Sequence, residues 1–304
     1  MGDDMDSDME MPLGERLRSY LSSRGGCVAN ELVVFGAGKM AQCLIETFVA
    51  RECFSREEIV PITQSQKSAL NWIERGYERA TTLAQYIQTN PGEANRVIMI
   101  GVKPQIRTEL FDVLIASSLR LNAVLIVSIL AGITHTTLST ELSFLGGIPV
   151  VRAMPNVPSE IGAGVTLLYS TNEDASKVAA TLLKAAGEVF VLPETQFNAA
   201  ASVAGSGPAF AALLVEGLAD GGVLSGLPRD KALQMTLLML KGSIELMIQS
   251  GLHPGQLKDK VCSAGGTTIA GVRELEKHGV RSALMECVKS ATERAFELGG
   301  QSSK

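Results

Sequence analysis

Short, wholly apolar runs alternate along this chain with stretches whose apolar residues recur every three or four positions. Leu32–Phe35 is a short apolar run closed by glycine, and Met40–Val49 then takes helical spacing. Ile59–Thr63 predicts a second strand and Ala69–Arg75 a helix. Arg96–Val102 is a β-branched run broken by Pro104, with a helical pattern over Ile106–Ser117 behind it. Val124–Ile129 and Ile148–Val151 predict further buried strands; Val165–Tyr169, a helix over Ala175–Ala186 and Val189–Leu192 extend the layer. Strands alternating with helices imply parallel pairing, hence an α/β fold with a doubly wound sheet.

After Pro193 the pattern changes. Phe210, Leu213, Leu214 and Leu218 fall on one helical face, where Gly217, Gly221 and Gly222 permit close helix contacts, and Gly226-Leu227-Pro228 interrupts the run. From Leu233 to Ile248 the chain is apolar on nearly every side of a helix. Such a helix must be buried all round, and the remaining helices are too few to enclose it, so an interdigitated homodimer is expected. The predicted organisation is a tail over 1–29, a sheet domain over 30–193 and an all-helical dimerisation and substrate domain over 194–304.

Composition narrows the function. The 304 residues are 46% hydrophobic, with a net charge of −5, enough for two ordinary cores and poor for nucleic acid in the absence of a Lys/Arg cluster. The five cysteines are scattered with no C-x-x-C, and none of the three histidines has a ligand-type neighbour at a metal spacing, so neither a disulfide framework nor a metal centre is expected. Asp3, Asp4, Asp6, Asp8 and Glu10 make the tail the opposite of a basic leader, and Asp6 breaks a myristoylation pattern after Gly2. The windows Leu121–Ile133 and Leu233–Ile248 are too short or too interrupted to cross a bilayer. A cytoplasmic protein with a disordered tail and no membrane partner is expected.

Two glycine turns carry the chemistry. Gly36-Ala37-Gly38-Lys39-Met40-Ala41 follows the first strand and opens the first helix. It fits G-x-G-x-x-A: the first glycine makes the turn, the second admits a pyrophosphate, and small Ala41 lets helix and strand approach, the fingerprint of a Rossmann-type domain. Phe35 to Met40 are therefore candidate cofactor residues. The second strand ends in Thr63-Gln64-Ser65-Gln66-Lys67, without the acid that holds an NAD ribose. Thr63, Ser65 and Lys67 favour NADPH, with NADH still open; a helix cap at Thr63 or Ser65 is the structural alternative. Val102-Lys103-Pro104 and the stretch from Ser128 to Gly132 end further strands at the edge where such sheets bind ligands. Asn156, flanked by Pro155 and Pro158, could touch cofactor or substrate, or simply shape a turn.

The second turn is Ser263-Ala264-Gly265-Gly266-Thr267-Thr268, which opens an amphipathic run through Ile269, Val272, Leu275 and Glu276. A helix start offers unpaired N–H groups and the positive end of a dipole, so it can hold a small carboxylate. His253 before Pro254 reads as a turn cap, and Glu216 with Asp220 as structural carboxylates.

Taken in order, Gly36–Ala41, Val102–Pro104, Ala131-Gly132-Ile133, Arg152-Ala153-Met154-Pro155-Asn156, Gly205–Phe210 and Leu257–Ile269 resemble the pyrroline-5-carboxylate reductase family from about Glu31 to Leu298. The resemblance implies a Rossmann-type domain followed by a dimerising helical domain, often in a decamer. It implies hydride transfer from NAD(P)H to the C=N bond of a cyclic imino acid, giving L-proline. It implies that Ser263, Gly265, Gly266 and Thr267 hold the substrate carboxylate, and that Thr268 acts as the catalytic hydrogen-bond director near the ring nitrogen. Val102, Lys103, Pro104, Ile129 and Ala131 would line the cofactor. Four positions depart from the family: Lys39 for a neutral residue, Ala264 for proline, Ala204 for serine, and Gly251 where some members carry a Glu. Two alternatives remain open. A β-hydroxyacid-dehydrogenase-like carbonyl reductase would need a lysine acid, with Lys241 as candidate; a non-catalytic dinucleotide-binding protein would keep only the first turn.

Overall fold

Among the described residues, eight strands form a single sheet in the order β3-β2-β1-β4-β5-β6-β7-β8. They are β1 (Glu31–Phe35), β2 (Ile59–Thr63), β3 (Thr81–Thr82), β4 (Arg96–Ile100), β5 (Ala123–Ser128), β6 (Val150–Met154), β7 (Gly164–Tyr169) and β8 (Gly187–Val191). The computed structural model describes residues 13–15, 31–89, 96–117 and 121–298. Residues 13–15 are helical; the rest of the tail lies outside the described residues.

Period-two alternation explains why the strands are apolar throughout. Leu32 and Val34 enter one core layer with Val97, Met99, Leu125 and Val127. Val33 and Phe35 face the other, with Ile98, Ile100 and Ile126. A strand covered on both faces has no solvent side on which to place polar residues. The helices α1 (Lys39–Ala50), α2 (Gln66–Ile73), α3 (Leu83–Thr89), α4 (Arg107–Ala116), α5 (His135–Glu141) and α6 (Glu173–Leu183) link the strands. The short β3, α3 and α5 carry too few apolar residues for periodicity to mark them, and the sequence reading did not anticipate them.

One pairing differs from the all-parallel expectation: β6 and β7 run antiparallel, Arg152 opposite Tyr169 and Met154 opposite Leu167. The segment between them folds only into a short 3₁₀ turn, Val157–Ile161. A parallel return needs a crossover of a dozen or more residues, so this connection can only reverse the chain. The strand β8 then pairs parallel with β7 after α6.

The chain divides into two compact units, one reaching Gly205 and including the residues from Arg294 onward, the other Ser206–Glu293. The division falls after α7 (Phe197–Ala204) rather than after Pro193, because Phe197 and Ala201 pack with Leu167 of β7. In the second unit, α8 (Gly207–Leu224) and α9 (Arg229–Ser250) form a hairpin. The turn is made at Gly226, whose φ of +99° favours glycine. Arg229 pairs with Asp220 across the turn. Then come α10 (Pro254–Val261), α11 (Thr267–Lys277) and α12 (Val280–Leu298), the last of which is counted with the first unit from Arg294 on. Only Ala232 and Thr236 of α9 are buried within the chain; Leu238 is 63% and Ile248 76% exposed. The stretch Glu194–Leu224 is also long and apolar enough to cross a membrane by length and composition, although the helix is interrupted at Gly205-Ser206. It lies outside the two windows, Leu121–Ile133 and Leu233–Ile248, that the apolar pattern singles out.

Burial pushes the phenols of Tyr77 and Tyr86 up to about 12. An unfolded tyrosine titrates near pH 10, so the native state holds these protons more tightly than the unfolded one. Their contribution to stability is full below about pH 10 and is lost as pH rises from there towards 12. Urea midpoints measured from pH 8 to 11.5 are expected to stay level first and then fall; Tyr86→Phe should weaken the fall.

Candidate active site

At the carboxyl end of β1 the chain turns at Gly36 with φ +83°. The turn is pinned by Gly36 N–H donating to Ile62 O at 3.0 Å and Gly38 N–H donating to Gly36 O at 2.8 Å. A Cβ on Gly36 would lie 2.5 Å from the backbone nitrogen of Val102, so only glycine lets β1 and the end of β4 meet there. A Cβ on Gly38 would meet nothing within 4 Å. At Gly38, α1 begins with neither a capping side chain nor an acid in its first turn. An uncapped helix start behind an open glycine suits a pyrophosphate, and the donor set fits a dinucleotide.

Gly101 belongs to this site and sequence reasoning missed it. Its Cβ would stand 3.1 Å from Gly36 O, 3.1 Å from Ile129 Cδ1 and 3.2 Å from Ala41 Cβ. A glycine interrupting an otherwise β-branched run just before Val102 was the available signal. The ends of β1, β4 and β5 thus gather Gly36, Gly101, Val102 and Ile129, with Ile129 N–H bonded to Ile100 O at 2.9 Å. Lys103 is exposed and Pro104 half-buried, starting a 3₁₀ turn. Ala131 is exposed beside Gly132, Ala37 packs on the core, Lys39 is exposed and Met40 is half-buried.

The side chains of three candidates are engaged within the fold, Asn156 in the turn-shaping role that the sequence left open. The Phe35 ring is buried edge-on to Tyr86, 6.1 Å between centroids, so only its backbone reaches the rim. Thr63 is buried and its hydroxyl donates to Ser65 O at 3.0 Å, so it is engaged within the fold. Asn156 is 7% exposed, with Nδ2 donating to Ala204 O and Oδ1 accepting from Val165 N–H, both at 2.9 Å. An amide committed at both ends to its own fold shapes the turn rather than reaching a ligand. Ser65 caps α2 by accepting from Ser68 N–H at 3.3 Å, and remains exposed.

In the second unit, Gly265 takes φ +68° and Gly266 is the N-cap of α11. Gly266 N–H donates to Ser263 O at 3.1 Å. A Cβ on Gly266 would fall 2.3 Å from Ser263 Oγ, so a side chain there would force the Ser263 hydroxyl to move. The helix has no capping side chain and no acid in its first turn, with Thr267 exposed and Thr268 half-buried. Gly251 ends α9 with φ +64°, a backbone that disfavours a glutamate there. His253 caps α10, accepting from Gly255 N–H at 3.1 Å while Gln256 returns a bond to its N–H.

A doubly wound sheet with a glycine-rich first turn, followed by a helical unit, defines a dinucleotide-binding class of protein. The family profile described as pyrroline-5-carboxylate reductase dimerisation matches residues 194–298. A pyrroline-5-carboxylate reductase of Synechocystis is 37% identical over 275 residues, covering 88% of this chain and 98% of that protein; one from Pisum sativum is 36% identical over 268 residues, covering 86% and 94%. The crystal structure of Plasmodium falciparum pyrroline carboxylate reductase with NADP bound superposes with a TM-score of 0.74 at 25% identity, covering 88% of this chain and 98% of that one. The chain belongs to the pyrroline-5-carboxylate reductase family.

Gly36→Ala places a methyl against the Val102 backbone at a positive φ. It should lower stability by about 1–3 kcal/mol and weaken NADPH binding, measured by urea unfolding and by quenching of nicotinamide fluorescence. Unchanged values would remove the turn from the site.

Proposed function

We propose that this chain is an NAD(P)H-dependent oxidoreductase that reduces 1-pyrroline-5-carboxylate to L-proline. The observation that carries the reading is the pairing, within one chain, of two uncapped glycine-led helix starts, at Gly38 and at Gly266. One suits a pyrophosphate and the other a small carboxylate. The cofactor, when bound, supplies the hydride. Amides of Gly38 to Met40 would hold its pyrophosphate, with Val102, Lys103, Pro104, Ile129 and Ala131 along the nicotinamide end and Ser65 and Lys67 towards the adenosine end. The lack of an acid after β2 supports NADPH over NADH.

Amides of Gly265 to Thr268 and the Ser263 hydroxyl would orient the substrate carboxylate, and the Thr268 hydroxyl would direct the ring nitrogen. A cyclic imine takes its proton from water, so the hydride reaches the iminium carbon and yields the neutral amine without a strong protein acid. Orientation alone can supply roughly 7–11 kcal/mol of the barrier, which is why a site without a His–Asp pair suffices. The exposed apolar residues of α9, together with the match to a dimerisation profile, support a homodimer; the decamer implied by the family resemblance is a further assembly of such dimers. Scattered cysteines and an acidic charge balance support a cytoplasmic setting.

Loss of absorbance at the nicotinamide band when the imine is offered with NADPH, and more slowly with NADH, is the expected result; no oxidation with either overturns the reading. Thr268→Ala removes a hydrogen bond to a charged nitrogen, about 1.5–3 kcal/mol, so kcat/KM should fall by about ten- to a hundredfold while the NADPH dissociation constant stays put. Equal loss of both would take Thr268 out of the catalytic role.

A further inference from the structure

Arg107, the first residue of α4, has no part in the proposed chemistry, yet its guanidinium meets three acceptors. Nε donates to Glu141 Oε2 and Nη2 to Glu141 Oε1, both at 3.0 Å, and Nη1 donates to Pro104 O at 3.0 Å. The backbone N–H of Arg107 donates to the same Pro104 oxygen. A planar fork meeting both oxygens of a carboxylate fixes direction as well as distance, which a lysine ammonium cannot do. Glu141 is the last residue of α5. The pair therefore joins the helices that follow β4 and β5, and through Pro104 O it reaches back into the turn between β4 and α4. Leu110 and Phe111 of α4 and Leu138 of α5 share one core layer with Leu130, so apolar packing already holds these helices.

We propose that Arg107 and Glu141 are positioning residues for the dinucleotide, holding the Val102-Lys103-Pro104 turn in the shape that receives the nicotinamide end. The inference rests on the reductase reading, which puts that turn along the nicotinamide. Within this one unit the turn has two attachments. Val102 lies against Gly36, where a Cβ would stand 2.5 Å from the Val102 nitrogen, and Pro104 O is bonded by Arg107. Between them Lys103 is extended at φ −65° and ψ 139°, its carbonyl accepting from Ile106 N–H at 3.0 Å. A proline has no N–H, so the Pro104 carbonyl is the backbone group by which that residue can be gripped. The two side chains of the pair are 22% and 25% exposed. An ion pair that open to water adds little to global stability. Its effect falls on the share of molecules whose turn is ready for the ligand, and affinity scales with that share.

Binding is measured in the full chain. Arg107→Ala, Arg107→Lys and Glu141→Ala are titrated with NADPH, followed by nicotinamide fluorescence. They are also titrated with adenosine 2′,5′-bisphosphate, which carries the adenosine end alone, followed by calorimetry. Expected in the two alanine variants are an NADPH dissociation constant higher by about three- to tenfold, an unchanged constant for the bisphosphate, and a urea midpoint close to the parent's. Arg107→Lys keeps the charge without the fork and should regain only part of the loss. The double variant should lose no more NADPH affinity than Arg107→Ala alone, because the two side chains act as one unit. A merely structural role would lower the urea midpoint and weaken both ligands together. That result overturns the proposal, as do unchanged NADPH affinity in a folded variant, full recovery in Arg107→Lys, and failure of every variant to fold. A parent chain that binds NADPH but oxidises none with the imine overturns the functional reading alone, and the titrations still decide the role of the pair. A parent that binds no NADPH overturns both.

Discussion

The first amides of a helix have no partner inside it, and most proteins cover them with a serine, threonine or aspartate. Here α1 and α11 begin instead on glycine, with no capping side chain and no acid in the first turn. That choice leaves a bare positive helix end in each of the two units, and the proposed chemistry depends on it. The surrounding glycines follow from it. Gly36 must turn under Val102, Gly101 must sit under Gly36 and Ala41, and Gly266 must close onto Ser263. Adding one methyl at Gly36 meets the Val102 backbone, whereas at Gly101 and Gly266 it crowds mainly neighbouring side chains.

A second constraint is the apolar surface of the helical unit. A helix whose apolar residues point in every direction cannot be satisfied by one neighbour, and among the described residues α8 is the helix that packs most closely on α9, as its hairpin partner. Leu238 and Ile248 therefore remain at the surface of a single chain. Large exposed apolar faces mark sites of association, and a dimerisation profile covers the same residues.

Much of this was legible in the sequence, and the exceptions have physical reasons. Strands buried on both faces write themselves as unbroken apolar runs, so β1, β2 and β4 to β7 were visible and two-residue β3 was not; β8 showed through its β-branched residues although it is largely exposed. Periodicity carries no direction, so the reversal at β7 stayed hidden; only the shortness of the connection after Pro155 could have disclosed it. The two glycine turns were visible because backbone conformation restricts residue choice there. Side-chain commitments were not. Nothing in the order of residues tells that the Thr63 hydroxyl bonds to Ser65 O, that Phe35 lies against Tyr86, or that Asn156 joins Ala204 to Val165. The Arg152–Asn156 motif was recognisable as a pattern, but the Ala204 carbonyl that its last residue holds lies some distance along the chain.

The central claim is that one chain offers two bare helix starts, one for a pyrophosphate and one for a carboxylate. A crystal structure with NADPH and L-proline tests it most directly. The account predicts cofactor pyrophosphate at the amides of Gly38 to Met40 and the proline carboxylate at those of Gly265 to Thr268. A carboxylate held by arginine or lysine side chains elsewhere, with the Gly266 loop empty, would contradict it.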